Sequence, residues 1–591
     1  MSRCHHRVVK KALAALLSAS LALSTPWAQA QVRLPSLGDS ASEDLPVGSE
    51  RRLGEQIMRE VKRDPAYLDD PVLLDYMRSL WQPLLQAARA RGDIGPEIEQ
   101  AFSWDVFLVQ DRSVNAFALP GGHVGVHLGL IAVTATRDEL AAVLAHELSH
   151  VSQRHIARSM GSASRQGALG VAAMLLGVLI AARSSNPDAA QAAIAGGQAA
   201  MIQGQLNFSR DMEREADRIG YGVFRDAGFA TPGMATMFEK LDQASRLNDS
   251  GGFPYLRSHP LTTERMAEAR SRLSEAAPTP AERGTQHALM QGRARALMEA
   301  TVDNWRRLLA QAQAVVTPAN LSPAAAPTGG TASAAYQPHP AERAGTLYAG
   351  TLAAARLGEH RAAAALHLAL TSALATAPGM GPQDAELSRW AGQLLGAELA
   401  LARGEPRAAS TALANLGTPR SADTTAGHAG VRPLLMLRAQ ASLATALQAA
   451  DGADRRQDAA LRETLESLQT WVAEHRDDAA AWLLLAQASD ALGLQLRALR
   501  AQAEARAAAG DLGAAIDRLR AAQARSRSAA AGGDFIEASI IDTRLRQLQA
   551  QRRQELAEMR AQRGGNPGPR DEPSDDSRER SSPSDRSSRR P

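Results

Sequence analysis

Apolar positions change rhythm along the chain, and the change divides it. Residues 103–109 (SWDVFLV) are dense in β-formers, and 115–130 (NAFALPGGHVGVHLGL) read as two short strands around a Pro-Gly-Gly turn. Helical patterns alternate with these strands from about Asp44 to Leu273. Leu140, Val143, Leu144, Leu148 and Val151 recur at helical spacing behind Thr136, and Glu139 three residues after Thr136 completes a capping box. A helix should start there. A second is expected over 208–228, where Gly228 can end it. Residues 317–340 turn to Pro, Ala, Thr, Gly and Ser, the composition of a flexible linker. From about Ala341 to Glu555 strand signals vanish, and Ala/Leu-rich helices recur in pairs across turns at Gly358, Gly404 and Gly510.

Within that second half, 481–522 resemble tetratricopeptide repeats. Trp482 and Ala486 share one helix, and Gly510-Asp511 leads into the next. The usual aromatic positions are mostly Ala or Leu, so a generic helical bundle stays open. Either arrangement offers a surface that binds proteins or peptides more readily than it does chemistry. The expected organisation is a mixed α+β domain over 44–316, the linker 317–340, an all-α tetratricopeptide-like domain over 341–560, and a disordered tail over 561–591 rich in Gly, Pro, Ser, Arg and Asp. Two uncharged stretches, 167–182 and 189–209, interrupt the first domain. The first is at the short edge of a membrane span and the second is too polar for one, which favours a helical flap over the active-site cleft that touches a membrane surface or a partner, with a transmembrane pair as the alternative.

Charge and cysteine usage then depend on the first 30 residues. Arg3, Arg7, Lys10 and Lys11 precede an apolar run over 12–23 and the small-x-small end Ala28-Gln29-Ala30, which reads as a cleaved secretory signal peptide over 1–30. The whole chain has 66 Lys and Arg against 63 Asp and Glu; without those four cations the balance is 62 against 63, and Cys4, the single cysteine, goes with them. A near-neutral, thiol-free exported chain has no footprint for nucleic acid. It also excludes a disulfide scaffold, a cysteine nucleophile and a Cys-ligated metal. Chemistry must come from His, Asp, Glu, Ser or Lys.

Residues 136–160 supply a candidate. On the expected helix His146 and His150 are four residues apart, so their imidazoles project from one side and can share an ion. Glu147 sits one residue round. This is H-E-x-x-H, in which the glutamate serves as general base to zinc-bound water. In the second helix Glu213 and Asp217 are one turn apart and share a face with the small residues Ala216 and Gly220. Glu213 could be the third ligand, with Asp217 bonding the far nitrogen of a ligand histidine. A surface of Arg/Glu pairs is the alternative, and Glu215 is a competing ligand away from Asp217's face. His123, His127 and His155 are read as strand or surface histidines.

Together His146-Glu147-Leu148-Ser149-His150, Glu213-Arg214-Glu215-Ala216-Asp217 and Asn115-Ala116-Phe117-Ala118-Leu119-Pro120-Gly121-Gly122 resemble the gluzincin metallopeptidases of the CAAX prenyl protease and HtpX family. The likeness is strong over roughly 45–273 and weak over the repeat half. It implies a zincin-type metallopeptidase domain, one Zn2+ per chain, Glu213 as third ligand and Asp217 behind a ligand. It also gives Ser258-His259-Pro260 a role, because His259 matches a histidine that in periplasmic members lies near the metal, as an autoinhibitory plug or an oxyanion stabiliser. The implied protein is a periplasmic zinc endopeptidase, associated with the outer membrane, that acts on misfolded or stalled outer-membrane proteins. Its partners would be polypeptide substrates and the barrel-assembly machinery, with the repeats selecting substrates as the linker lets them reorient over the cleft. The rival is a periplasmic chaperone or scaffold for outer-membrane protein assembly with latent protease activity.

Overall fold

A computed structural model describes residues 45–161, 210–247, 254–273, 283–316, 339–376, 379–419, 430–448, 458–527 and 534–563. The readings made on 1–30, 167–182, 189–209, 317–338 and 564–591 fall outside these residues. The described chain is mostly helical with one small sheet. Its first half runs α1 (Val47–Val61), β1 (Tyr67–Leu68), α2 (Pro71–Arg91), α3 (Pro96–Ala101), β2 (Asp105–Val109), β3 (Ala116–Leu119), β4 (His123–His127), α4 (Leu128–Val133), α5 (Arg137–Ser152) and α6 (His155–Gly161). It continues with α7 (Arg210–Asp226), α8 (Pro232–Leu247), α9 (Tyr255–Ser258), α10 (Thr263–Leu273), α11 (Thr285–Leu297) and α12 (Val302–Val316).

The β-forming segments become strands as expected. The sheet order is β1-β2-β4-β3, with β2 parallel to β4 and β3 antiparallel to β4 from Leu119 opposite His123. The turn between β3 and β4 places Gly121 and Gly122 at φ of 79° and 92°, a left-handed conformation open to glycine at little cost. The sheet leaves β3 as an edge beside α5.

The second half is helical throughout its described residues: α13 (Pro340–Arg356), α14 (His360–Thr376), α15 (Pro382–Ala402), α16 (Pro406–Ala414), α17 (Val431–Gln448), α18 (Ala459–Glu474), α19 (Ala479–Ala491), α20 (Gln495–Ala508), α21 (Leu512–Ser526) and α22 (Phe535–Arg563). Consecutive helices pack on one another. The last of them runs three residues into the segment expected to be tail.

The two halves share one core. One apolar core runs from Val47 through α5 and α11 to Ala441 of α17. Helices α11 and α13 cross at Gly292 and Gly345, where a Cβ on either would strike backbone of the other helix. Arg293 is buried and donates to both Asp70 carboxylate oxygens at 2.8 Å and to Glu398 at 3.1 Å. Arg432 joins Asp69, at 2.8 Å, to Asp478, at 2.7 Å. The junction is a packed, ion-paired seam, and the expected reorientation of the second half over the cleft would have to expose it.

Candidate metal centre

Helix α5 begins where the sequence suggests. Thr136 Oγ1 accepts from the Glu139 amide at 3.2 Å, and Glu139 Oε2 accepts from the Ala135 amide at 2.6 Å, so the return bond of the box falls one residue before the cap. The helix is not half-exposed as the apolar stripe suggests. Every residue from Asp138 to Ser152 is buried, because α2, α7, α8 and β3 pack around it. Helix α7 approaches closely enough that a Cβ on Gly220 would lie 3.1 Å from the Ala145 carbonyl oxygen. That approach carries Glu213 and Asp217 to the histidines.

His146 and His150 point their Nε2 atoms at one another, 3.0 Å apart. Glu213 stands 3.4 Å from each, through Oε2 to His146 and Oε1 to His150. His259, at the end of α9, adds Nδ1 at 2.9 Å from Glu213 Oε1 and 3.4 Å from His146 Nε2. These four ligand atoms lie within 4.8 Å of one another, and all four residues are buried. Asp217 Oδ1 lies 3.0 Å from His146 Nδ1, an ion-pair distance. The sequence had left Glu213 and Glu215 open; Glu215 lies outside the four-residue cluster.

Three imidazole nitrogens and a carboxylate converge in a water-poor interior, where a cation between them would offset the cost of burying them. A nitrogen-rich set with one oxygen suits zinc better than the oxygen cages of magnesium or calcium, so the residues fit a resident metal. The electrostatics agree. Burial works against a cation on His146, yet the carboxylates of Asp217 and Glu213 outweigh it and lift the imidazole to about 10, so these carboxylates call for a positive charge at this point, which a metal ion would supply in place of the proton. Burial holds His150 well below its usual value, assisted by the neighbouring imidazoles, so its ring is neutral as a ligand must be. Burial opposes ionisation of Glu213, but the imidazoles around it keep its carboxyl far below the usual range.

Glu147 is set beside this cluster, fully buried, with neither carboxylate oxygen hydrogen-bonded. Its Oε1 lies 3.6 Å from His259 Nε2. A buried carboxylate without donors costs several kcal/mol unless a cation or a water occupies the space before it.

Two residues went unrecognised in the sequence. Arg265 grips Asp217 with two bonds of 2.6 and 2.9 Å, stands 2.9 Å from Glu213 and donates to the Pro260 carbonyl, next to His259. His155, expected on a strand or the surface, is instead fully buried, with Nδ1 2.9 Å from His150 Nδ1 and Nε2 3.1 Å from Glu215. His127 and His123 do lie on β4, as read.

Comparison with known proteins agrees with this geometry. Residues 86–273, the segment holding the cluster, match the model described as Peptidase family M48, a class of metallopeptidases. A catalytic metal is implied by the class. Among relatives, the chain is 34% identical over 275 residues to the Beta-barrel assembly-enhancing protease of Escherichia coli (strain K12), covering 46% of this chain and 54% of that one. It is 32% identical over 175 residues to Metalloprotease LoiP of the same organism, covering 30% and 64%. It is 27% identical over 197 residues to Mitochondrial metalloendopeptidase OMA1 of Saccharomyces cerevisiae, covering 32% and 53%. The chain spans about half the length of the beta-barrel assembly-enhancing proteases that it matches.

Proposed function

We propose that the protein is a zinc-dependent endopeptidase of the periplasm, acting on misfolded or stalled outer-membrane proteins, with its helical half, read as tetratricopeptide-like, binding substrate or a partner such as the barrel-assembly machinery. The observation that carries the reading is the convergence of His146, His150, Glu213 and His259 beside the unbonded carboxylate of Glu147. The names of the relatives support the substrate class. Among the described residues no helix is long and apolar enough to cross a membrane.

His146, His150 and Glu213 would hold one zinc, with Asp217 fixing the orientation of His146. Bound there, the metal supplies Lewis acidity toward a carbonyl and toward water. Glu147 takes a proton from the attacking water and returns it to the departing amine nitrogen. The edge strand β3 offers main-chain groups to an extended substrate. His259 is read as a plug, since its Nδ1 reaches into the ligand set and its Nε2 faces Glu147, the space where water must enter. Its seat also favours the second reading, an assembly factor whose proteolysis is latent.

Replacing Glu147 with Gln separates the two. Cleavage of casein or a misfolded barrel protein is expected to vanish while one equivalent of zinc stays bound; full function of that variant in cells would favour the scaffold. Less than about half an equivalent of zinc in pure protein, or zinc unaffected by Glu213→Ala, would undo the ligand assignment. His259→Ala is expected to raise proteolysis, and an unchanged or lower rate would refute the plug.

A further inference from the structure

The two ligand histidines have different supports. His146 faces a carboxylate directly, through Asp217, whereas His150 faces another imidazole. The atoms of that second contact determine one proton arrangement. His150 presents Nε2 to the cluster, so its proton is on Nδ1. Nδ1–H then donates to His155 Nδ1, 2.9 Å away, which must be unprotonated. The His155 proton is consequently on Nε2, which donates to Glu215 Oε2 at 3.1 Å. Glu215 Oε2 also accepts from Arg158 Nη1 at 2.7 Å. Every donor in this chain meets an acceptor, and it runs from a fully buried histidine out to a carboxylate with 27% of its side chain exposed.

The backbone is bent to build this contact. Helix α5 stops at Ser152, Arg154 takes a left-handed φ of 51°, and α6 starts at His155. Arginine is strained in that conformation. It is held there by Glu50, at 2.8 Å, and by the Leu45 carbonyl. Continued as a helix, a residue five places after His150 would point well away from it; the break returns His155 to the ligand.

We propose that His155 is a positioning residue for His150, fixing the ring's tautomer and angle through a His155–Glu215–Arg158 relay. The inference rests on the zinc reading above. A buried histidine that merely fills space predicts no change in zinc affinity beyond what lost stability causes.

The test uses the full chain, zinc alone as ligand, and competition against a zinc chelator. His155→Leu is expected to weaken zinc about 10- to 100-fold, the usual effect of losing a ligand's supporting partner. His155→Asn, whose amide oxygen can accept the same Nδ1–H, should recover most of the affinity, and melting of the zinc-stripped proteins should not track these differences. Glu215→Leu should weaken zinc severalfold and Glu215→Gln should restore it; this pair decides the matter if His155→Leu does not fold. Zinc held as tightly by His155→Leu as by wild type overturns the proposal, as does an Asn variant no better than Leu. If His155→Leu yields no protein, unchanged affinity in Glu215→Leu overturns it. Wild-type protein without zinc would instead defeat the metal reading itself.

Discussion

The half that holds the metal-site cluster and the all-helical half both bury charge, and they do so differently. Among the described residues of the helical half each buried charge faces an opposite one: Arg432 meets Asp69 and Asp478, Glu504 meets Arg544, and Glu537 meets Arg497 and Arg500. Around α5 matched pairs such as Asp217 with Arg265 stand beside three imidazoles crowded against one another, and Glu147 accepts no hydrogen bond from the protein. Charge matched on site belongs to architecture. Charge left waiting belongs to a ligand or a reaction.

That contrast is sharpened most by comparing Glu147 with a matched charge. Glu147→Gln removes the proposed general base and is expected to lower kcat by about 10²- to 10⁴-fold. It removes no hydrogen bond made by the protein, so the melting temperature should hold or rise. A variant that loses stability in step with activity would show Glu147 to be architectural after all. Arg293→Met is the opposite case. It leaves Asp70 and Glu398 facing each other in the seam, at a cost of about 3–5 kcal/mol of stability measured by urea unfolding. The metal ligands are untouched, so the protein that remains folded should bind zinc normally.

The seam itself can be pressed without charge. Gly292→Ala pushes a methyl into the Gly345 carbonyl, backbone against backbone, where no side chain can swing away. About 3 kcal/mol of destabilisation is expected, near the upper end for overpacking. If the halves instead unfold in separate transitions and only the second shifts, the shared core is less cooperative than its packing implies.

Much of the site was legible because local rules produced it. The Thr136 and Glu139 cap, the four-residue step from His146 to His150, and the four-residue step from Glu213 to Asp217 each depend on one helix. His155 was hidden because it lies five residues after His150, beyond a break where Arg154 is held by distant contacts with Glu50 and Leu45. Arg265 was quoted in its motif but carried no spacing rule pointing at Asp217. The seam was invisible for a related reason. Asp69 and Asp70 read as ordinary residues before a helix, and the arginines that claim them lie more than 220 and 360 positions away. The apolar stripe of α5 misled in the other direction, since periodicity reports the face turned to the core and not whether other elements cover the remainder.

The smallest effect comes from Asp75 of α2, which accepts from the Gly430 amide at 2.9 Å across the same seam. Burial pushes its carboxyl up from 3.8 to about 6, against the pull of that bond and of Arg78 and Arg432. A raised carboxylate means that the folded protein binds more protons than the unfolded chain between about pH 4 and 6. Its contribution to stability therefore falls as pH rises through that window and stays low above it. Asp75→Asn keeps an acceptor for Gly430 without the charge, so it should be more stable than wild type by about 2 kcal/mol at pH 7.5, with the difference shrinking toward pH 4. Parallel curves of unfolding free energy against pH for the two proteins would mean that Asp75 is matched in the folded state. It would then belong with the ion-paired charges of the helical half and not with a carboxylate that burial keeps from ionising.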